Sequence, residues 1–350
     1  MSDIPLPSSS EAPVPHRRRP RYAGKYPRRF EEKYKEHDPQ RYADTVAKVI
    51  ASGKTPAGSH RSIMVEEILH VLSPKPGEAM VDCTLGYGGH ARELLARLQP
   101  GGRLLGLDVD PIEQPRTEAR LRALGFGPET FIVHRSNFAG LPQALAAHNW
   151  DGADGILADL GLSSMQIDDP ARGFSVKTDG PLDMRMNPQR GQSAGQLLTR
   201  IKPAELEELL VENADEPKAK LLGEALAGKT FSTTLELARA IRAALPAQRG
   251  EESDLTVRRV FQALRIAVND EFSALETLLR QLPHCLKSGG RVAVLSFHSG
   301  EDRRVKKAFQ AGRDAGIYAA ISEEVGRPTP AERQANPRSG PAKLRWAIRA

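Results

Sequence analysis

The chain has 350 residues, of which 39% are hydrophobic and 27% charged, with a net charge of +6 and two cysteines. That is the composition of a soluble globular protein long enough to bury a sizeable core. It has no apolar run of about 18 residues to cross a membrane, no apolar leader and no Cys/His cluster at metal-ligand spacing. Cys83 and Cys285 lie far apart in sequence, so the expectation is two reduced thiols in a cytoplasmic protein.

The positive charge sits at one end. Residues 1–61 hold 13 Lys and Arg against 7 Asp and Glu, while the remainder holds 37 of each. In "HRRRPRYAGKYPRRFEEKYKEH" the basic residues alternate with Tyr22, Tyr26, Phe30 and Tyr34. Basic side chains neutralise phosphates and aromatics stack on unpaired bases. The pattern favours RNA contact over a purely solubilising tail. Residues 1–15, rich in Pro and Ser, read as disordered, and 28–52 as partly helical.

From about His60 the pattern becomes regular, opening with the helix "HRSIMVEEILHVL". "AMVDCTLG", "GRLLGLDVD", "TFIVHRSN" and "DGILADLG" read as buried strands. "GHARELLARL", "IEQPRTEARLRALG" and "AGLPQALAAHN" read as the helices between them. Such alternation predicts a parallel sheet covered on both faces. Residues from about 165 to 190 are loop-like, and 192–248 read as helical with no strand candidate. "VRRVFQALRIAVNDEFSALETLLRQLPHCLKSGG" reads as one long helix closed by Gly289-Gly290. "RVAVLSFHS" is a fifth strand, "GEDRRVKKAFQAG" a helix, and the tail supplies two last strands as a hairpin.

Strand ends mark the candidate site. "VDCTLGYGGH" places Gly86, Gly88 and Gly89 behind Asp82, and Gly86 to Ala91 fits the dinucleotide fingerprint. Asp108 follows Gly89 by 19 residues, where a carboxylate takes ribose hydroxyls. Both features suit NAD and S-adenosylmethionine alike. Asp82 either caps the turn or helps separate the two: a carboxylate at the loop mouth repels a pyrophosphate and attracts a ligand carrying an ammonium and a sulfonium. Asp82, Asp108 and Asp159 all fall at predicted strand ends and are expected around one crevice.

Four stretches, "DGILADLGLSSMQIDDPARGFSVKTDGPLDMRMNP", "FQALRIAVNDE", "GGRVAVLSFHSGEDRRVK" and "NPRSGPAKLR", resemble the bacterial ribosomal RNA small subunit methyltransferase H family. The resemblance runs from about His60 to the C-terminus and leaves the basic arm uncovered. It implies a class I S-adenosylmethionine-dependent methyltransferase: a Rossmann-like α/β fold with a mostly parallel seven-stranded sheet and an inserted helical subdomain. The expected division is a basic extension over 1–55, a methyltransferase domain over 56–165 and 255–350, and the insertion over 166–254. The implied reaction is N4-methylation of a cytidine in the decoding region of 16S rRNA, in the small ribosomal subunit. Monomer and homodimer both stay open. The implied cofactor contacts are Gly88, Gly89, His90, Asp108, Phe138, Asp159 and Gln166, to which Asp82 is added from its charge. An NAD-dependent oxidoreductase and a non-catalytic ribosome-binding factor are the alternatives.

Asp159 is a candidate acceptor for an N4 proton or an anchor for the cofactor. His298, in "SFHSGED", either faces the crevice or opens a helix. No aromatic follows Asp159 to stack a base, so Phe174 or an aromatic elsewhere must serve. Arg172, Lys177, Arg185 and Arg190 lie near the expected mouth as phosphate contacts. Asp183 with Arg185, and Arg265 with Asn269, either contact RNA or brace each other. The chain departs from the family pattern at Tyr87, at 213–217 ("NADEP"), at "LTVRRVFQ", at Gly300 and in "NPRSGPAKLR".

Overall fold

The computed structural model describes residues 62–246 and 250–350. The basic arm, with the partial helix expected over 28–52, lies outside the described residues. Seven strands form one sheet: β1 (Ala79–Asp82), β2 (Arg103–Asp108), β3 (Phe131–Arg135), β4 (Ala153–Asp159), β5 (Leu286–Ser296), β6 (Tyr318–Ile321) and β7 (Lys343–Arg349). Their order is β3-β2-β1-β4-β5-β7-β6. β1 to β5 are parallel, and β7 runs antiparallel between β5 and β6. The parallel part is what the alternating strands and helices predict, and the seven-stranded Rossmann-like whole is what the motif resemblance implied.

Successive strand residues point to opposite faces. Met80, Leu104, Leu157 and Ala293 enter one core with α1 (Val65–Leu72) and α2 (Gly89–Leu98). Val81, Leu105, Ile156 and Val292 enter the other with α4 (Leu141–Ala147), α11 (Glu271–Cys285) and α12 (Ser299–Asp314). Both alternating sets are apolar, so the strands are stable only when covered on both sides. α3 (Glu113–Ala123) carries Pro115 in its first turn, where a missing N–H costs little.

A third core belongs to the helices between β4 and β5. α6 (Ala194–Arg200), α7 (Pro203–Ala214), α8 (Ala219–Leu226), α9 (Thr234–Ala244) and α10 (Glu251–Val268) share it through Leu198, Leu206, Leu222, Leu237 and Leu264. α10 was assigned by sequence to the sheet portion from residue 255, yet Val257, Val260 and Phe261 also enter this helical core.

Three sequence expectations change. The long helix from Val257 is two helices, broken at Asn269-Asp270. Asp270 is left-handed, with φ 50°. The Asn269 amide donates to the Met184 and Arg265 carbonyls, and its oxygen accepts from the Met186 N–H. A side chain that hydrogen-bonds this way competes with helix continuation. α11 ends at Cys285, and β5 starts at Leu286, ahead of the glycine pair. A register shift against β4 between Ala153 and Gly155 lets those glycines sit inside the strand. β6 and β7 pair antiparallel, but α13 (Pro330–Ala335) lies between them, so they are no tight hairpin.

Two departures from the family pattern have structural partners. Asp215, left-handed at φ 48°, accepts from Arg303 at 2.9 Å and Ser299 at 3.3 Å, tying the end of α7 to α12. A Cβ at Gly300 would lie 2.6 Å from Cζ of Phe272, so the ring fills the space a larger residue would need. Gly300→Leu should therefore destabilise the protein by about 1–3 kcal/mol through overpacking. Combined with Phe272→Leu, it should cost less than the two single changes added, as read by urea unfolding. Additive losses would show that the ring and the glycine are not matched.

Candidate functional site

The carboxyl ends of β2, β1 and β4 are neighbours in the sheet, and each ends in an aspartate: Asp108, Asp82 and Asp159. Between β1 and α2 the chain turns through the glycine loop. Gly88 caps α2 with φ 78°. A Cβ at Gly88 would lie 2.7 Å from the Thr117 methyl, and one at Gly89 would strike Ser62. Gly88 is thus favoured by its left-handed backbone and by the Thr117 methyl, and a side chain at Gly89 would have to displace the Ser62 hydroxyl.

Asp82 is 1% exposed. Its Oδ1 accepts from the Thr84 N–H at 3.0 Å and from the Thr84 hydroxyl at 3.4 Å. The same hydroxyl accepts from the Asp159 N–H at 2.7 Å, so Thr84 locks the ends of β1 and β4 together. Burial pushes the Asp82 pKa up to about 6; His90 and the Thr84 N–H oppose that, while Asp159 and Asp108 add to it. Asp108 accepts from Gly86 N at 2.7 Å and Asp110 N at 2.8 Å. Burial outweighs these bonds and lifts its pKa to about 6 as well. Each carboxylate oxygen keeps a second acceptor site for ligand hydroxyls.

The His90 ring does more than open a helix. It is buried, with Nε2 3.5 Å from Asp159 Oδ2. Burial alone would lower its pKa, but Asp159, Asp82 and Glu332 outweigh burial and raise it. Asp159 Oδ1 has no hydrogen-bond partner among the described residues. The cluster therefore holds more carboxylate than it neutralises and favours a cation.

Asp108 and Asp159 open into a cavity of about 570 Å³, within the usual range of small-molecule sites. Phe138 and Gln166 line it too. Asp82 sits beneath the lining. The Gln166 amide is occupied: its oxygen accepts from Ser163 N, and its nitrogen donates to Asp110 at 2.8 Å. It orders α5 (Ser164–Asp168).

Several expected substrate residues are committed elsewhere. Arg172 is buried, paired with Asp110 at 2.8 Å, and donates to the Arg185 and Met186 carbonyls. It holds the loop instead of presenting charge at the mouth. Asp183 and Arg185 brace each other in a two-pronged pair. Phe174 packs beside the helical core and does not line the cavity. His298 caps α12, its ring accepting from Glu301 N, and it does not line the cavity either. Lys177 and Arg190 are exposed. Arg265 and Asn269 do line the cavity, but their partners are Glu271 and the 184–186 backbone, not each other's side chains.

Sequence reasoning missed Thr84, Phe297, Glu271 and Arg338. Phe297 follows β5 directly and is an aromatic of the cavity wall beside the loop after Asp159. Arg338, in "NPRSGPAKLR", lines the cavity from the β6–β7 crossover and bonds Asp168. Tyr87, another lining residue, lies under the Arg120 guanidinium at 3.6 Å.

Because the Asp82 pKa is raised on folding, its ionised form opposes folding. That penalty is absent below about pH 4, grows toward pH 6 and is full above it. Asp82→Asn keeps an oxygen for Thr84 and removes the charge. The ligand-free variant should be more stable than the parent by about 1–3 kcal/mol at pH 7.5. Urea unfolding should show a smaller gain at pH 5. An unchanged or lowered stability at pH 7.5 would mean the charge is well compensated.

The chain is 49% identical to Ribosomal RNA small subunit methyltransferase H 1 of Lachnoclostridium phytofermentans, over 98% of this chain and 96% of that one. It is 50% identical to Ribosomal RNA small subunit methyltransferase H 2 of Alkaliphilus metalliredigens, over 95% and 97%. Among solved structures, an rRNA methylase from Streptococcus thermophilus aligns at TM-score 0.37 and 12% identity, over 81% of this chain and 93% of that one. The two sequence relatives align ahead of residue 57 as well, so the arm that the motif resemblance left uncovered is part of their likeness. The MraW methylase family model matches residues 57–350. This chain belongs to the MraW methylase family.

Proposed function

We propose that the protein methylates N4 of a cytidine in the decoding region of 16S rRNA, in the small ribosomal subunit, using S-adenosylmethionine. The observation that carries this reading is the carboxylate cluster at the ends of β1, β2 and β4, of which Asp108 and Asp159 line one cavity and Asp82 lies buried behind them. The cluster fits a ligand bearing an ammonium and a sulfonium and disfavours a pyrophosphate, which argues against NAD. Relatives named as small-subunit rRNA methyltransferases support the substrate class.

When bound, the sulfonium supplies an electrophilic methyl group. The protein's part is to position and to accept a proton. Asp108, fixed by two backbone N–H groups, would take the ribose hydroxyls. Phe138 would pack against the adenine, and the backbone of Gly88, Gly89 and His90 would face the amino-acid end. Asp159 Oδ1 would accept the N4 proton, with His90 beside its other oxygen. The target base must leave its stack to reach this depth. The basic arm would supply counter-charge for the RNA backbone.

Transfer of labelled methyl to small subunits lacking the modification should occur, and nuclease mapping by mass should place it on cytidine N4. S-adenosylhomocysteine should bind well and NADH poorly. Asp159→Ala should lower turnover at saturating S-adenosylmethionine by about 10²–10⁴-fold. Binding of subunits without transfer would instead favour a non-catalytic ribosome-binding factor.

A further inference from the structure

The cavity is longer than its donor end. Its lining runs from Asn137 and Phe138, after β3, to Phe297, after β5. Four strand spacings separate those ends, about 19 Å at the usual 4.8 Å each. A donor held at Asp108 and Phe138 leaves the part over β4 and β5 for a second ligand. This inference rests on the cytidine reading above.

We propose that the β4–β5 end of the cavity is the acceptor-base subsite, in which Phe297 packs the ring of an unpaired cytosine and the Arg265–Glu271 fork reads its polar edge. Arg265 Nε and Nη2 donate to Glu271 Oε1 and Oε2, each at 2.8 Å. The fork is rigid, and both residues line the cavity. Arg265 Nη1 has no hydrogen-bond partner among the described residues, and each Glu271 oxygen keeps an acceptor site. The wall thus offers a fixed acceptor beside a fixed donor. Cytosine presents a donor at N4 and an acceptor at N3, which complements that order. Uracil presents an acceptor and a donor, which opposes it, and mismatched buried polar groups are strongly rejected.

Phe297 is equally fixed. Its N–H donates to Glu301 Oε2 at 2.8 Å, and Glu301 is 2% exposed. The ring edge lies 3.9 Å from where a Gly161 Cβ would stand, so it borders the loop after Asp159. Leu275 and Met186 complete an apolar surround. A flipped base is read in this manner, by stacking and by bonds to its pairing edge. A buried ion pair adds little net stability compared with apolar packing, although removing one partner alone is costly; its place in the cavity wall therefore fits a binding role.

The test uses the full-length protein, labelled S-adenosylmethionine, and 16S rRNA in small subunits with the target left as C or changed to U. Glu271→Gln keeps the shape and removes the charge. It should lower kcat/KM on the C substrate about tenfold to a hundredfold. S-adenosylhomocysteine affinity should stay within about twofold by calorimetry, and the binding preference for C over U subunits should narrow. Phe297→Leu, which leaves the fork intact, should lower kcat/KM while retaining the C-over-U preference. Normal kcat/KM in both variants, or an unchanged C-over-U preference in Glu271→Gln, would overturn the subsite. A parent protein that binds S-adenosylhomocysteine but methylates no cytosine would overturn the proposed function, and the subsite with it; variant failure alone overturns only the subsite.

Discussion

Parallel strands that start together also end together. In this sheet that constraint brings Asp108, Asp82 and Asp159 to three adjacent strand ends, on one edge of a buried layer. Three carboxylates so placed repel one another and lose hydration. The protein offsets part of that cost with backbone N–H groups from Thr84, Gly86 and Asp110, and with the His90 ring at 3.5 Å. It does not cancel it: Asp82 and Asp108 both keep raised pKa values near 6. The residual negative charge is a stored preference for a cationic ligand. Stability is given up at the place where binding needs it.

The rest of the structure serves that edge. Apolar residues on both faces of β1, β2, β4 and β5 hold the strands in register. The Asp110–Arg172 pair and the Gln166 amide tie the loop after β4 to the turn after β2. Asn269, by ending α10, fixes the backbone at 184–186 and brings Arg265 and Glu271 to the far wall. The helical unit is joined to the sheet at Asp215 and Arg303 as well as through its chain connections.

Much of this was legible in the sequence, because it is written in local patterns. Alternating apolar runs announce strands, helical spacing announces their covers, and a carboxylate at the end of three strands announces the crevice. What escaped depends on partners far apart in the chain. Arg172 looked like a phosphate contact until Asp110, 62 residues away, claimed it. The break after Val268 is invisible to helix periodicity, because it is made by bonds from Asn269 to a loop more than 80 residues earlier. Gly88 and Gly89 read as loop glycines from sequence, but the packing that a side chain there would meet, Thr117 and Ser62, is set by residues outside the loop. Phe297 was hidden in plain view, just past a strand whose end faces the cavity only because β5 pairs with β4.

The most direct measurement of the central claim is the affinity for S-adenosylmethionine as a function of pH, by calorimetry, beside S-adenosylhomocysteine, which keeps the ammonium but lacks the sulfonium charge. A carboxylate titrating near 6 is about one-tenth ionised at pH 5. The account predicts that S-adenosylmethionine affinity drops about tenfold or more between pH 7.5 and pH 5, and more than that of S-adenosylhomocysteine. Equal affinities for the two compounds, unchanged across that interval, would contradict it.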